Sequence, residues 1–384
     1  MRPVPSFPRR LFLLAPPVLA GCSAPPTAPA PDDVQQVLAA RGAALVAGDL
    51  TAAGAGYDPA ERSAVRVLDA RAVRAGLREW AVSGLDDAAA DVTGTLRVRV
   101  EGEGRAVAGA FRAGWDGRLR TSTAGTPQPW DLGDVEARIV GGGVVLVVDP
   151  AAGEVADQVA ADLPDATARV DAAWGGHWPR GTAVVVLPTA AEVTRFAGRD
   201  ASGRLDAVAV GLDADLPDGA PAGVRVVLSV ERFAALTPLG RSVTLTHELV
   251  HVATRATPRA AGAVVPTWLT EGYADHVARL RRDVAATALA APLLSADGVP
   301  QVPDDAAFRS SEPAALQLAY AAAWTLVTSA ARVAGTSAVT ALLRTVLAGT
   351  DLEAACRQAL GRSFADVVET WRADVASDLV GWGP

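Results

Sequence analysis

One short stretch of the chain carries residues whose types and spacing suit metal chemistry. His247-Glu248-Leu249-Val250-His251 places two of the four histidines four positions apart. Such positions lie on one face of a helix, about one turn from each other, so both imidazoles can bind one metal ion. Glu248 lies between them and can act on a nearby water, which is the pattern of zinc-dependent hydrolases with a glutamate general base. The alternative is an amphipathic core helix that carries two histidines.

The neighbours of this motif favour a buried helix. The residues on either side of it, from Val243 to Ala253, are uncharged, as expected for a helix that must exclude water from a metal. Arg241-Ser242 can start this helix, and Pro258 prevents its continuation much beyond Thr257.

Two histidines leave zinc short of a third protein ligand, which a catalytic site needs beside one open position. The strongest candidate is Glu271, in the run Pro266-Thr267-Trp268-Leu269-Thr270-Glu271-Gly272-Tyr273-Ala274-Asp275. Pro266 suits the first turn of a helix. The nineteen residues between His251 and Glu271 allow a loop and a returning helix. Asp275 follows four positions after Glu271, on the same helix face; a solvated carboxylate is its other interpretation.

These two motifs together resemble those of the gluzincin metallopeptidases, in particular the bacterial proteins with a peptidase MA-like domain. The resemblance rests on H-E-x-x-H followed by W-L-x-E-G-x-A and covers about 135–384. It implies that Glu271 is the third zinc ligand and that Asp275 accepts a hydrogen bond from His247. It also implies a thermolysin-like α+β domain, with an N-terminal sheet and a C-terminal helical part.

Hydrolysis also requires a donor for the oxyanion of the tetrahedral intermediate. Tyr320 is the candidate, because related peptidases often carry a tyrosine on a helix after the third ligand; a buried core tyrosine is the alternative. Tyr273 flanks the ligand on a different helix face. His276 points about 100° away from Asp275 and is predicted not to bind metal. His177, in a turn-rich segment, is predicted to be a surface or packing residue.

The N-terminus has the pattern of an export signal. Arg2, Arg9 and Arg10 precede a short apolar region, which ends in Leu19-Ala20-Gly21-Cys22. These four residues resemble the lipobox of bacterial lipoproteins, which implies lipidation of Cys22 and anchoring outside the cytoplasmic membrane. An ordinary secretory signal is the alternative, and the choice between Sec and twin-arginine export stays open. Cys356, the other cysteine, is predicted to be a buried thiol.

Length and composition predict two or three domains with ample core. We expect a signal peptide at 1–21, a Pro/Ala-rich tether at 22–33, a small α+β domain at 34–130 and the zinc domain at 135–384. In the small domain, a helix from Asp32 or Asp33 to about Ala47 and a second one from Ala60 to Trp80 precede a meander of alternating strands, with a hairpin at Asp116-Gly117. This order resembles the cone-shaped cystatin-like folds. The net charge of −8 and the lack of a basic run argue against nucleic acid as a partner.

In the zinc domain, we expect a hairpin around Gly141–Gly143, a helix at 152–174 and strands at 183–187, 207–210 and 224–230, followed only by helices. The last of these strands is predicted to offer an edge to an extended peptide. The sequence thus predicts a membrane-anchored zinc metallopeptidase acting on peptides or proteins. The alternatives are a catalytically silent zinc-binding lipoprotein, a ligand-binding module, and a hydrolase of a non-peptide amide such as cell-wall material.

Overall fold

The computed structural model describes residues 31–88, 91–122, 125–176, 178–197, 207–211, 223–280 and 285–382. The predicted signal peptide, Cys22 and His177 lie outside these ranges. Within them the protein is a mixed α+β structure with one antiparallel and one mixed sheet, which confirms the α+β class of the prediction.

The N-terminal part is a helical segment followed by a four-stranded antiparallel meander. Its elements are α1 (Pro31–Ala47), α2 (Leu50–Gly54), α3 (Arg62–Arg74), β1 (Leu77–Ala88), β2 (Asp91–Val100), β3 (Val107–Trp115) and β4 (Leu119–Arg120). The predicted first helix and the hairpin at Asp116-Gly117 are confirmed. The prediction of a helix from Ala60 to Trp80 is wrong at its end, because Gly76 has a positive φ of 79° and the chain then enters β1.

The second part begins with a short helix. A five-stranded sheet follows, and two further helices lie between its strands in the sequence. These elements are α4 (Pro129–Leu132), β5 (Val135–Val140), β6 (Gly143–Val148), α5 (Gly153–Trp174), β7 (Thr182–Leu187), α6 (Ala190–Ala197), β8 (Ala207–Gly211) and β9 (Val224–Ser229). The strand order is β5-β6-β7-β9-β8, with parallel pairing of β6, β7 and β9 and antiparallel outer strands. β9 therefore lies between β7 and β8, so the prediction that it forms an open edge is wrong. Among the described strands, β8 is the outermost on that side.

The central strands are buried on both faces, which explains their nearly continuous runs of valine. Successive side chains alternate between two hydrophobic clusters. Val145, Val184 and Val226 face the helices, whereas Leu146 and Val185 face the N-terminal part. The N-terminal meander and the mixed sheet thus share one continuous core, although their boundary near residue 130 follows the change from one sheet to the other.

The remainder of the second part is helical. It comprises α7 (Val230–Phe233), α8 (Pro238–Arg255), α9 (Thr267–Arg279), α10 (Ala286–Leu289), α11 (Ala291–Leu294), α12 (Pro313–Ala334), α13 (Thr336–Leu347), α14 (Leu352–Leu360) and α15 (Phe364–Ala376). Over 267–280 and 285–382 the structure contains no strand, as predicted. Of the described helices, only α12 has the length and apolar composition of a membrane span. More than half of its most apolar stretch is buried within the protein, as in the core helix of a soluble domain.

Candidate metal centre

Helix α8 holds both histidines of the motif on one face. Thr237 caps its N-terminus by accepting a hydrogen bond from Gly240 N, and Pro238 occupies its first turn. The helix packs on the sheet through buried apolar residues, among them Leu245 and Leu249. It begins a few residues earlier than predicted and ends at Arg255, before Pro258 as expected. The opposite face presents His247 and His251, whose Nε2 atoms lie 3.0 Å apart.

Helix α9 brings Glu271 to the same point. Its Oε2 lies 3.3 Å from Nε2 of His247 and 3.4 Å from Nε2 of His251. Gly272 allows the close approach of α9 to α12 that this arrangement needs, because a Cβ at this position would overlap the carbonyl oxygen of Ala323. The ligand atoms of the three residues lie within 4.8 Å of one another, so His247, His251 and Glu271 form a group that could hold a metal ion.

Asp275 orients the first histidine. Its Oδ1 lies 2.9 Å from His247 Nδ1, and the same oxygen forms an ion pair with Arg279. Burial favours a higher pKa for Asp275, but the charges of Arg279 and His247 outweigh it and hold the pKa low. When His247 is neutral, an ionised Asp275 accepts the proton of Nδ1, which leaves the lone pair of His247 Nε2 directed at the cluster.

The histidines and carboxylates of the cluster shift one another's pKa values. Burial would lower the pKa of His247, yet hydrogen bonds to Asp275 and Glu271 raise it well above the usual value. Burial would raise the pKa of Glu271, but His251 and His247 lower it well below its usual range. Both shifts favour an ionised Glu271 and a protonated His247, and a metal that binds His247 would displace that proton.

Glu248 and Tyr320 complete the candidate site. Glu248 is buried on α8 and lies outside the three-residue group that could hold a metal ion. The Tyr320 side chain on α12 is hydrogen-bonded to Glu271, and the pKa of its hydroxyl is raised by burial and by the negative charges of Glu271, Asp275 and Glu248. The raised pKa favours a protonated hydroxyl, which is a hydrogen-bond donor next to Glu271.

Other residues considered from the sequence have different surroundings. His276 is buried between hydroxyls of Thr328 and Thr336, each 3.0 Å away, and burial lowers its pKa to about 4. It faces away from the cluster, as predicted. The hydroxyl of Tyr273 bonds to Thr340 instead of the site. Cys356 is a free, buried thiol whose pKa burial raises to about 11, in agreement with the prediction.

Two contributors to the site were missed at the level of sequence. Arg279, the partner of Asp275, lies four positions after it and could have been found by helical spacing. Phe308, whose ring packs edge-on against Tyr320, lies twelve residues earlier in an irregular segment, and no local pattern connects the two.

Comparison with known proteins assigns no function to the site, so its interpretation rests on this geometry. No protein-family model matches the chain, and no curated protein matches it. What the structure itself supports is a largely buried His-His-Glu group that could hold a metal ion, flanked by a carboxylate and a phenol.

Proposed function

We propose that the protein is a zinc-dependent metallopeptidase of gluzincin type. The observation that carries this proposal is the meeting of His247, His251 and Glu271 at one point, with Glu248 next to the first ligand in sequence. The corresponding fold proposal is a thermolysin-like domain from Val135 onwards, preceded by a cone-shaped cystatin-like domain. The four-stranded meander with α1 packed against β1 is compatible with the latter.

The donor set fits zinc. Two imidazole nitrogens and one carboxylate oxygen are common ligands of catalytic zinc, which leaves a fourth position open. Ligand atoms 2.0–2.2 Å from a tetrahedral zinc lie about 3.3–3.6 Å from one another. The separations of 3.0, 3.3 and 3.4 Å are close to that spacing. The hydrogen bond from His247 Nδ1 to Asp275 is also typical of zinc-binding histidines.

Each side chain of the site then has a distinct task. Zinc, when bound, would polarise the scissile carbonyl and acidify the attacking water. Glu248 accepts a proton from that water and delivers it to the leaving amine. Tyr320 donates a hydrogen bond to the oxygen that gains negative charge, and Asp275 keeps His247 in the tautomer that presents Nε2.

A peptide substrate could pair with the outer strand of the sheet. β8 is the outermost described strand on its side and lies beside α8, the helix that carries the motif. An extended peptide added to β8 would run past the metal group, held by main-chain hydrogen bonds. This assigns to β8 the role that the sequence suggested for β9.

We place this activity outside the cytoplasmic membrane. The proposal rests on the Leu19-Ala20-Gly21-Cys22 motif after an apolar stretch, with lipidated Cys22 as the membrane anchor and 23–33 as tether. Cys22→Ala should move the full-length protein from the membrane to the soluble fraction on cell fractionation. Unchanged membrane retention would point to a different anchor.

The test of the enzymatic proposal begins with metal content. Protein purified from zinc-replete cells should contain close to one zinc per chain by mass spectrometry; less than about 0.2 would reject the site. Glu248→Gln should keep the zinc and reduce cleavage of a mixed peptide library roughly 100- to 10,000-fold, because the general base is lost. Glu369→Gln, at an exposed position of α15, is the matched control and should change neither.

The outcomes also separate the alternatives. Zinc binding without turnover of any amide would support a silent zinc-binding protein. Turnover of cell-wall amides but not of peptides would redirect the substrate assignment. Peptide cleavage that survives Glu248→Gln would contradict the mechanism.

A further inference from the structure

We propose that Phe308 is a positioning residue for Tyr320, and that Asp305 ties its segment to the helix bearing Glu271. The inference rests on the proposed function and extends it by naming the residue that orients Tyr320, the candidate oxyanion donor. Phe308 lies in a short 3-10 turn, Ala307–Arg309, within the irregular chain between α11 and α12.

The contact between the two rings is specific in direction. Their centroids are 5.3 Å apart and their planes are 84° from parallel, so the arrangement is edge-to-face. Such pairs attract each other beyond the effect of the apolar area they bury, and the attraction depends on the relative orientation of the rings. Phe308 therefore restricts the orientation of the Tyr320 ring, and with it the position of the hydroxyl near Glu271.

The segment that carries Phe308 is anchored to the metal-site helix. Asp305 Oδ1 accepts a hydrogen bond of 2.9 Å from the backbone N–H of Thr267, the first residue of α9. Asp304 Oδ1 accepts one of 2.9 Å from Ala307 N and so stabilises the turn itself. Glu271 lies four residues after Thr267. The segment thus connects the start of the helix that supplies the third ligand to the helix that supplies the tyrosine.

The segment also borders a cavity. Ala307 lines this space of about 320 Å³, together with small or apolar residues that include Leu293, Ala315 and Ala319. Where the turn borders the cavity, it has no van der Waals contacts that would resist a shift. The hydrogen bond to α9, the contact with Tyr320 and the packing of Phe308 against the hydrophobic core are the interactions that hold Phe308 in place.

Phe308→Ala tests this role, with Phe364→Ala as its matched control. Phe364 is also half-buried and packs against α9, stacked on Trp268 at 5.6 Å, away from Tyr320. Phe308→Ala should lower kcat about tenfold with KM unchanged, because a misaimed donor affects mainly the transition state. Phe364→Ala should leave kcat within about twofold at a similar cost in stability. Phe308→Tyr, which keeps the ring edge, should restore kcat.

A double-mutant cycle separates positioning from general destabilisation. In a Tyr320→Phe background, Phe308→Ala should have almost no further effect on kcat, because its target is already gone. An undiminished tenfold loss in that background would overturn the proposal, as would equal losses in Phe308→Ala and Phe364→Ala. If Phe308→Ala does not fold, Phe308→Leu replaces it in the same cycle.

A spectroscopic measurement keeps the inference distinct from the proposed activity. The chain has three tyrosines, so 3-fluorotyrosine labelling gives three ¹⁹F signals, of which Tyr320→Phe identifies one. Phe308→Ala should shift or broaden the Tyr320 signal alone, and Phe364→Ala should not. An unmoved signal would reject the positioning role even in an active enzyme. A moved signal in an inactive protein would support the contact while the peptidase proposal fails.

Discussion

Arg225 on β9 is buried and His247 on α8 is largely buried, each beside carboxylates, but their hydrogen bonds are organised in opposite ways. Arg225 donates from Nε and Nη2 to the two oxygens of Glu103, at 2.7 and 3.1 Å, and from Nη1 to Gln128 at 3.0 Å. Glu103 also accepts from Val100 N. Each acceptor faces a donor, so this junction between the two sheets is complete as it stands.

The group of His247, His251 and Glu271 lacks this pairing of donors with acceptors. When each neutral histidine carries its proton on Nδ1, Nε2 of His247, Nε2 of His251 and Oε2 of Glu271 converge as three acceptors, and only a proton or a cation can reconcile them. The comparison teaches that burial of charge alone does not mark a functional site. The closed cluster of Arg225, Glu103 and Gln128 holds parts of the fold together. The open cluster of His247, His251 and Glu271 consists of converging acceptors and is incomplete without a ligand.

Breaking the closed cluster should give the largest loss of stability. Arg225→Ala leaves Glu103 buried without its counter-charge and should cost about 3–5 kcal/mol in the free energy of unfolding, measured with urea. Because the core is continuous across the junction, both sheets should unfold in one transition. Arg112→Ala removes an ion pair that is about half exposed on β3 and should cost under about 1 kcal/mol. Similar losses in both variants would show that the junction is not the stronger contact.

Completing the open cluster should give the largest gain. Zinc at roughly 1,000 times its Kd should stabilise the wild-type protein by about 4 kcal/mol, because only the folded state assembles the ligands. His251→Ala should abolish this gain while the metal-free protein keeps its stability within about 1 kcal/mol. Thermal unfolding with and without zinc measures both. Equal stabilisation of wild type and His251→Ala would place the metal elsewhere.

Much of this site could be predicted from the sequence, since helical spacing is a local property. His247 with His251, and Glu271 with Asp275, are both four-residue pairs whose shared face follows from helix geometry. The crossing of α8 and α9 is a tertiary arrangement that spacing does not define. The nineteen residues between His251 and Glu271 allowed a returning helix, and the family resemblance implied that Glu271 binds the metal. The contact of Phe308 with Tyr320 followed from neither.

The missed strand β1 has a physical reason as well. Its pairing with β2 is shifted between Leu77 and Glu79 and again between Ser83 and Asp86. Each irregularity breaks the two-residue alternation by which a strand is recognised. The position of β9 inside the sheet was equally hidden, because a buried run of valines does not reveal the order of strands.

Substitution of Gly272 tests how closely α9 must approach α12 for the open cluster to form. Gly272→Ala should push the helices apart, costing about 1–3 kcal/mol in stability and roughly tenfold in zinc affinity. Gly54→Ala is the control, because nothing lies within 4 Å of a Cβ there and φ is not positive. It should leave zinc affinity unchanged. Competition with a chromogenic chelator measures the affinities, and an unaltered value in Gly272→Ala would mean that the position of Glu271 tolerates the shift.

The proton held by the metal-free cluster gives the smallest and most specific effect. Burial lowers and Asp275 raises the pKa of His247, and the net direction is upward. A raised folded-state pKa stabilises the metal-free protein below the ordinary histidine value near 6.5, and this stabilisation is lost as pH rises through the raised pKa. Zinc must displace that proton, so its affinity should fall with decreasing pH from a point above pH 6.5.

Asp275→Asn distinguishes the effect of Asp275 on the proton of His247 from its effect on zinc binding. Loss of the Asp275 charge lowers the pKa of His247, so zinc binding at neutral pH should release fewer protons than in wild type, by calorimetry in buffers of different ionisation enthalpy. Affinity at high pH should fall about 10- to 100-fold, because the orienting hydrogen bond is weakened. The difference from wild type should shrink as pH decreases, since the variant faces less competition from protons. Asp366→Asn, which alters only the cap of α15, should match wild type in both respects. A pH-independent difference would mean that Asp275 acts through orientation alone.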